Sequence, residues 1–142
     1  MFEDLEAWQQ ARQLVNEIYS LTRENSSFSK DFGLTGQVQR AAVSIMSNVA
    51  EGFERTHLPE KIQFYNIARG STGEVRSLLY VISDNYPRSP VAERLRGTAI
   101  SVGKLVSGLL QSPEGRKGRF PRAMSLLLAP ISYLLTSISR LV

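Results

Sequence analysis

Gln37-Val38-Gln39-Arg40-Ala41-Ala42-Val43-Ser44-Ile45-Met46-Ser47-Asn48-Val49-Ala50-Glu51-Gly52-Phe53 is the stretch whose reading decides the fold. Val38, Ala41, Ala42, Ile45, Val49 and Phe53 return every three or four positions, the spacing of one apolar face of a helix. The segment is expected to be helical from about Leu34 to Arg55. The face is built largely of small residues, and a second run, Ala68-Arg69-Gly70-Ser71-Thr72-Gly73-Glu74, repeats that character downstream. Glycine inside a helix costs about 1 kcal/mol relative to alanine, so close packing is expected to offset it. If the two helices fold back about residue 57, facing positions sum to about 114. Ala41 then meets Gly73, Ser44 meets Gly70, and Arg40 lies level with Glu74. This pair is expected to be the tightest in the molecule.

Working outward, three further helices follow from the same periodicity. The first runs from about Asp4 to Glu24 with Leu5, Trp8, Val15, Ile18 and Leu21 on its stripe, and residues 25–33 read as a loop. The third starts near Pro59, placed where a missing N–H costs nothing, and carries Ile62, Tyr65, Thr72, Val75, Leu79 and Ile82 to a stop at Asn85-Tyr86-Pro87. The fourth opens at Ser89-Pro90 with Glu93 in its first turn and carries Val91, Leu95, Val102, Leu105, Val106 and Leu109 to about Ser112. No stretch alternates with period two between hairpin signals. The expectation is an all-α, antiparallel up-down four-helix bundle over residues 1–112 with an apolar C-terminal extension.

Residues 113–122 form a basic, glycine-containing linker, and 123–142 are strongly apolar. Pro130, five serines and threonines, and Arg140 interrupt that last run, so it falls short of a membrane span. It reads first as a fifth helix packed on the bundle or on a neighbouring subunit, otherwise as a membrane-surface helix or a mobile tail. The start, Met1-Phe2-Glu3-Asp4, lacks the basic-then-apolar pattern of a secretory signal, and a cytoplasmic protein is expected.

Charge is distributed unevenly. Residues 1–87 hold 8 Lys/Arg against 11 Asp/Glu, whereas residues 88–122 hold 8 against 2. Arg88, Arg94, Arg96 and Lys104 lie along or just before the fourth helix, and Arg116, Lys117, Arg119 and Arg122 follow in the linker. Such side chains contact phosphates and give affinity without sequence reading. The alternative is that they serve solubility alone. A second set, Arg40, Ser44, Asn48, Glu51, Arg69, Ser71 and Glu74, sits among the small residues of helices two and three. Asn48, Glu51, Arg69 and Glu74 either satisfy one another in a half-buried polar network or line a ligand pocket.

These motifs carry a family resemblance. Arg40-Ala41-Ala42-Val43-Ser44 followed by Asn48-Val49-Ala50-Glu51-Gly52-Phe53 resembles the signature of the bacterial four-helix-bundle proteins encoded in intervening sequences of large-subunit ribosomal RNA genes. Ala68-Arg69-Gly70-Ser71 with Gly73-Glu74 is similar to that family's second motif, and Phe2-Glu3-Asp4-Leu5-Glu6-Ala7-Trp8 to its usual start. The match covers about residues 2–112; Met46 stands where the family commonly has proline, and the tail after Ser112 lies outside the pattern. The resemblance implies a cytosolic helical protein that assembles as a pentameric ring. Family members also resemble accessory bundle proteins of diversity-generating retroelements, which bind nucleic acid and a reverse transcriptase.

Catalysis finds little support. There is no cysteine, and His57, the single histidine, falls in the turn between helices two and three. A triad needs a nucleophile, an oriented base and an orienting acid, and bundle di-metal sites use two Glu-x-x-His motifs from separate helices, which a single histidine cannot supply. Gly70-Ser71-Thr72-Gly73 lies within a helix and lacks the strand of a phosphate-binding loop. No cofactor or metal is expected. The sequence therefore points to a non-catalytic homo-oligomer associating with RNA or a ribonucleoprotein. The rivals are a protein-scaffolding ring and a membrane-surface adaptor acting through 123–142. An oligomer is also read from helix four, whose Gly97, Gly103 and Gly108 interleave with a wide apolar surface.

Overall fold

The computed structural model describes residues 1–24, 27–86 and 91–112. Among these the regular structure is helical, with no strand. The four long helices are α1 (Glu6–Glu24), α2 (Phe32–Glu54), α3 (Leu58–Asn85) and α4 (Val91–Gln111), with short 3-10 turns at Phe2–Asp4 and Phe28–Lys30.

Each helix buries a seam spaced alternately by three and four residues. On α1 it is Ala7, Ala11, Leu14, Ile18 and Leu21; on α3 Tyr65, Ala68, Thr72, Val75, Leu79 and Ile82; on α4 Ala92, Leu95, Ala99, Val102 and Val106. That spacing keeps one narrow stripe facing inward along the helix. On α1 the seam runs through Ala7, Ala11 and Leu14, while the expected Leu5 and Trp8 pack only at its edge. Leu14, Ile18, Ile45, Leu79, Ile82 and Leu95 are fully buried, and each such side chain contributes about 1.5–3 kcal/mol relative to exposure. The principal packing runs α1 on α2, α2 on α3, α3 on α4 and α4 on α1, so each helix has two neighbours.

The expected loop between α1 and α2 is more ordered than its composition foretells. Phe28 is fully buried and lies 5.2 Å from the Tyr86 ring. Asp31 caps α2: its Oδ1 accepts from the Leu34 N–H at 3.0 Å, and its Oδ2 accepts from the Tyr86 hydroxyl at 3.1 Å. A capping aspartate satisfies a backbone N–H that the helix itself leaves free, which is why α2 begins at Phe32 and not at Leu34. The other end of α3 starts at Leu58 with Pro59 in its first turn, and His57 is an exposed N-cap whose side chain makes no capping bond. The expected Ser89-Pro90 start of α4, the linker 113–122 and the apolar segment 123–142 lie outside the described residues.

Packing of α2 on α3 is the most extensive of any pair, but its register differs from the expected one. Ser44 Oγ meets Ser71 Oγ at 2.9 Å, and Gln37 Nε2 donates to Glu74 Oε1 at 3.4 Å. Ser71, not Gly70, therefore faces Ser44. A Cβ placed on Gly70 or on Gly73 would touch nothing within 4 Å, so neither glycine lies in the interface. The close approach occurs at Gly52, where a Cβ would fall 2.6 Å from Tyr65 Cε1. The bare backbone there admits the aromatic ring.

Candidate nucleic-acid interface

The polar residues of the α2 and α3 motifs separate into small local sets. Asn48 Nδ2 donates to the Ser44 carbonyl at 2.7 Å and to Ser44 Oγ at 3.2 Å, which joins it to Ser71. Glu51 pairs with Arg55 one turn along the same helix. Glu74 accepts from Gln37 instead of pairing with Arg40, which is exposed and lies along its own helix near Gly36. Arg69 is exposed on the α4 side of α3. The expected single network of Asn48, Glu51, Arg69 and Glu74 does not form: Asn48, Glu51 and Glu74 take Ser44, Arg55 and Gln37 as partners, and Arg69 lies on the groove facing α4.

The basic residues of α4 also part company. Arg94 Nη1 binds Glu17 Oε2 at 2.7 Å and ties α4 to α1. Arg96 lies with its guanidinium 4.2 Å from the centre of the Tyr80 ring and donates to Ser83 Oγ at 3.3 Å, tying α4 to α3. Both serve packing as much as charge. Lys104 is exposed. Arg88, Arg116, Lys117, Arg119 and Arg122 lie outside the described residues.

Lys104 opens onto a groove between α3 and α4 of about 620 Å³. Arg69 and Arg76 line its α3 wall, Lys104 and Ile100 its α4 wall, and Gly73, Gly103 and Gly108 keep it shallow and wide. No acidic side chain lines it among the described residues. The three ion pairs of the described residues are Met1–Asp4, Arg55–Glu51 and Arg94–Glu17, so none of the three groove cations is neutralised by a carboxylate. Gly103 packs on Thr72, whose Oγ1 lies 3.1 Å from where its Cβ would be. This contact sets Lys104 level with the turn between Arg69 and Arg76. The sequence held the signal, since seven residues separate Arg69 from Arg76 and two helical turns put them on one face. Arg76 does not stand out in the sequence, because it lies in the stretch 1–87 whose net charge is negative.

Other chemistry has less to work with. No cluster of three or more metal-ligating side chains occurs among the described residues, and none of their helices is long and apolar enough to cross a membrane. Among the described residues the molecule is all-α, with a cationic groove between α3 and α4.

The family follows from comparison with known proteins. Residues 3–108 match the family model described as 23S rRNA-intervening sequence protein, and the chain belongs to this family. Among solved structures, it is similar to a protein of unknown function from the S23 ribosomal protein family of Bacteroides thetaiotaomicron. The two share 18% identity and a TM-score of 0.68, over 75% of this chain and 99% of the other. At that identity the likeness speaks to the fold. No curated protein matches the sequence.

Proposed function

We propose that the protein is a non-catalytic, homo-oligomeric helical module that associates with RNA or a ribonucleoprotein through a basic surface. The observation that carries this reading is the α3–α4 groove, where Arg69, Arg76 and Lys104 converge without a carboxylate partner. Cations left unpaired on one face form the electrostatic footprint of a polyanion ligand. Membership of a family described by its 23S rRNA intervening sequences agrees with RNA as that polyanion.

In this reading the body is an up-down antiparallel bundle over residues 1–112. The pairings Gly52 with Tyr65, Ser44 with Ser71 and Gln37 with Glu74 support it, because position numbers fall along α2 as they rise along α3. Residues 113–122, outside the described residues, are in this reading a basic linker whose Arg116, Lys117, Arg119 and Arg122 add positive charge, and 123–142 a separate apolar segment. The cytoplasm is the proposed compartment. Self-assembly draws support from apolar side chains left on the outside of α3, where Ile67 is 42% exposed and Val81 43%. Five subunits is the number the family resemblance implies. The same exposed residues favour the second reading, a scaffold whose partner is another protein.

Fluorescence anisotropy of a labelled structured RNA, titrated across a salt series, tests the first reading. The expected result is a saturable rise that weakens steeply with salt. No rise at low salt, with the protein folded and assembled, would leave the scaffold as the function.

A further inference from the structure

The α3–α4 groove has the form of a track for one strand. Its cations alternate between two walls: Arg69 and Arg76 on α3 stand about 10.5 Å apart at about 1.5 Å per residue, and Lys104 on α4 is level with the turn between them. All three side chains are exposed. Elsewhere on the described surface, arginines near carboxylates are tied down, as Arg55 is to Glu51 and Arg94 to Glu17. Gly73, Gly103 and Gly108 are among its lining residues, and a Cβ on Gly73 or Gly108 would meet nothing within 4 Å. A ligand can therefore lie close to both helix backbones. One turn beyond Arg76, Tyr80 is 56% exposed, with the Arg96 guanidinium over its ring.

We propose that this groove binds the phosphodiester backbone of a single RNA strand, with Arg69 and Arg76 contacting phosphates from one wall and Lys104 from the other. The inference rests on the RNA-association reading above and assigns it to α3 and α4. A space of about 620 Å³ falls within the roughly 300–1,000 Å³ of small-ligand clefts. It has room for a short run of one strand. Binding is sequence-tolerant, because phosphate contacts position a strand without reading its bases.

The test compares full-length variants by anisotropy with a short labelled single-stranded RNA of mixed sequence and with its duplex, over a salt series. The groove variant is Arg69→Gln/Arg76→Gln/Lys104→Gln. The control, Arg12→Gln/Arg23→Gln/Lys30→Gln, removes the same charge from exposed positions outside the groove. A third variant, Gly73→Leu, fills the groove without changing charge, at a position where the added Cβ meets nothing. Circular dichroism and light scattering establish that each variant is folded and assembled as the wild type is. The groove variant is expected to lose at least about tenfold in single-strand affinity. Its slope of log K against log salt should flatten by about 2, from about 0.7 per lost phosphate contact. The control should lose less than about threefold, and Gly73→Leu should weaken single-strand binding with its salt slope little changed. Equal losses in the groove and control variants, or tighter binding of duplex than of single strand, would overturn the assignment. Undiminished binding by Gly73→Leu would overturn it as well. Wild-type protein that binds neither RNA would instead remove the reading on which the assignment rests.

Discussion

Gly52 and Gly73 are both helical glycines in the motif segments, yet their surroundings are opposite. At Gly52 an added Cβ would stand 2.6 and 2.8 Å from two ring carbons of Tyr65 and 3.2 Å from Phe64 Cβ. Tyr65 is itself a buried core residue and has little room to swing away. Gly52→Ala is expected to destabilise the protein by about 1–3 kcal/mol, the usual cost of overpacking, measured by urea unfolding. At Gly73 the space is open, and Gly73→Ala should stabilise by about 0.8–1 kcal/mol through helix propensity alone. Opposite signs at two glycines would confirm that only Gly52 is required by the fold. The open space at Gly73 leaves its presence to the groove it lines. Sequence reading assigned close packing to Gly70 and Gly73 because both lie among small residues; composition identifies small residues but not the direction in which each one points. In the observed packing both glycines have open space over their Cα atoms, and Ser71 stands against Ser44.

At the scale of elements, the join of α1, α2 and α3 depends on a short cluster of Phe28, Asp31 and Tyr86. Asp31 is at once the N-cap of α2 and the acceptor for Tyr86 at the end of α3. Asp31→Ala should cost about 0.5–2 kcal/mol for the cap, seen as a lower denaturation midpoint with an unchanged slope. Phe28→Ala should cost more, about 3–5 kcal/mol, since it opens a cavity at a fully buried site. Tyr86 adds a pH signature. Burial, and then its hydrogen bond to Asp31, hold its phenol above the usual value of 10.0. The folded state therefore favours the protonated phenol. This contribution is full below pH 10 and is lost as pH rises from there through the raised value. Stability of the wild type should fall across that alkaline window more steeply than that of Tyr86→Phe, measured by thermal unfolding at stepped pH. Four helices were legible because each carries a three-and-four apolar seam over at least four turns. The cluster at 28–31 was not, because a buried aromatic and a capping aspartate in a polar stretch leave no periodic trace.

For the whole molecule, the proposed RNA association turns on which cations are left over once packing has used the rest. Positive charge along the chain is concentrated in 88–122, and α4 does contribute Lys104 to the groove. Arg94 and Arg96 are largely engaged with Glu17, Tyr80 and Ser83, which no count of charges along the chain could reveal. Arg69 and Arg76 come from the stretch with net negative charge, and they join Lys104 only because α3 packs on α4. The candidate surface was thus half visible: its chemistry was read from residue types, its location from the fold. Hydrogen–deuterium exchange of the full-length protein, with and without saturating single-stranded RNA, tests the location most directly. The account predicts new protection concentrated in peptides spanning 66–80 and 96–111, with α1 and the first half of α2 unchanged. Protection confined to α1 and α2, at RNA concentrations where binding is saturated, would contradict it.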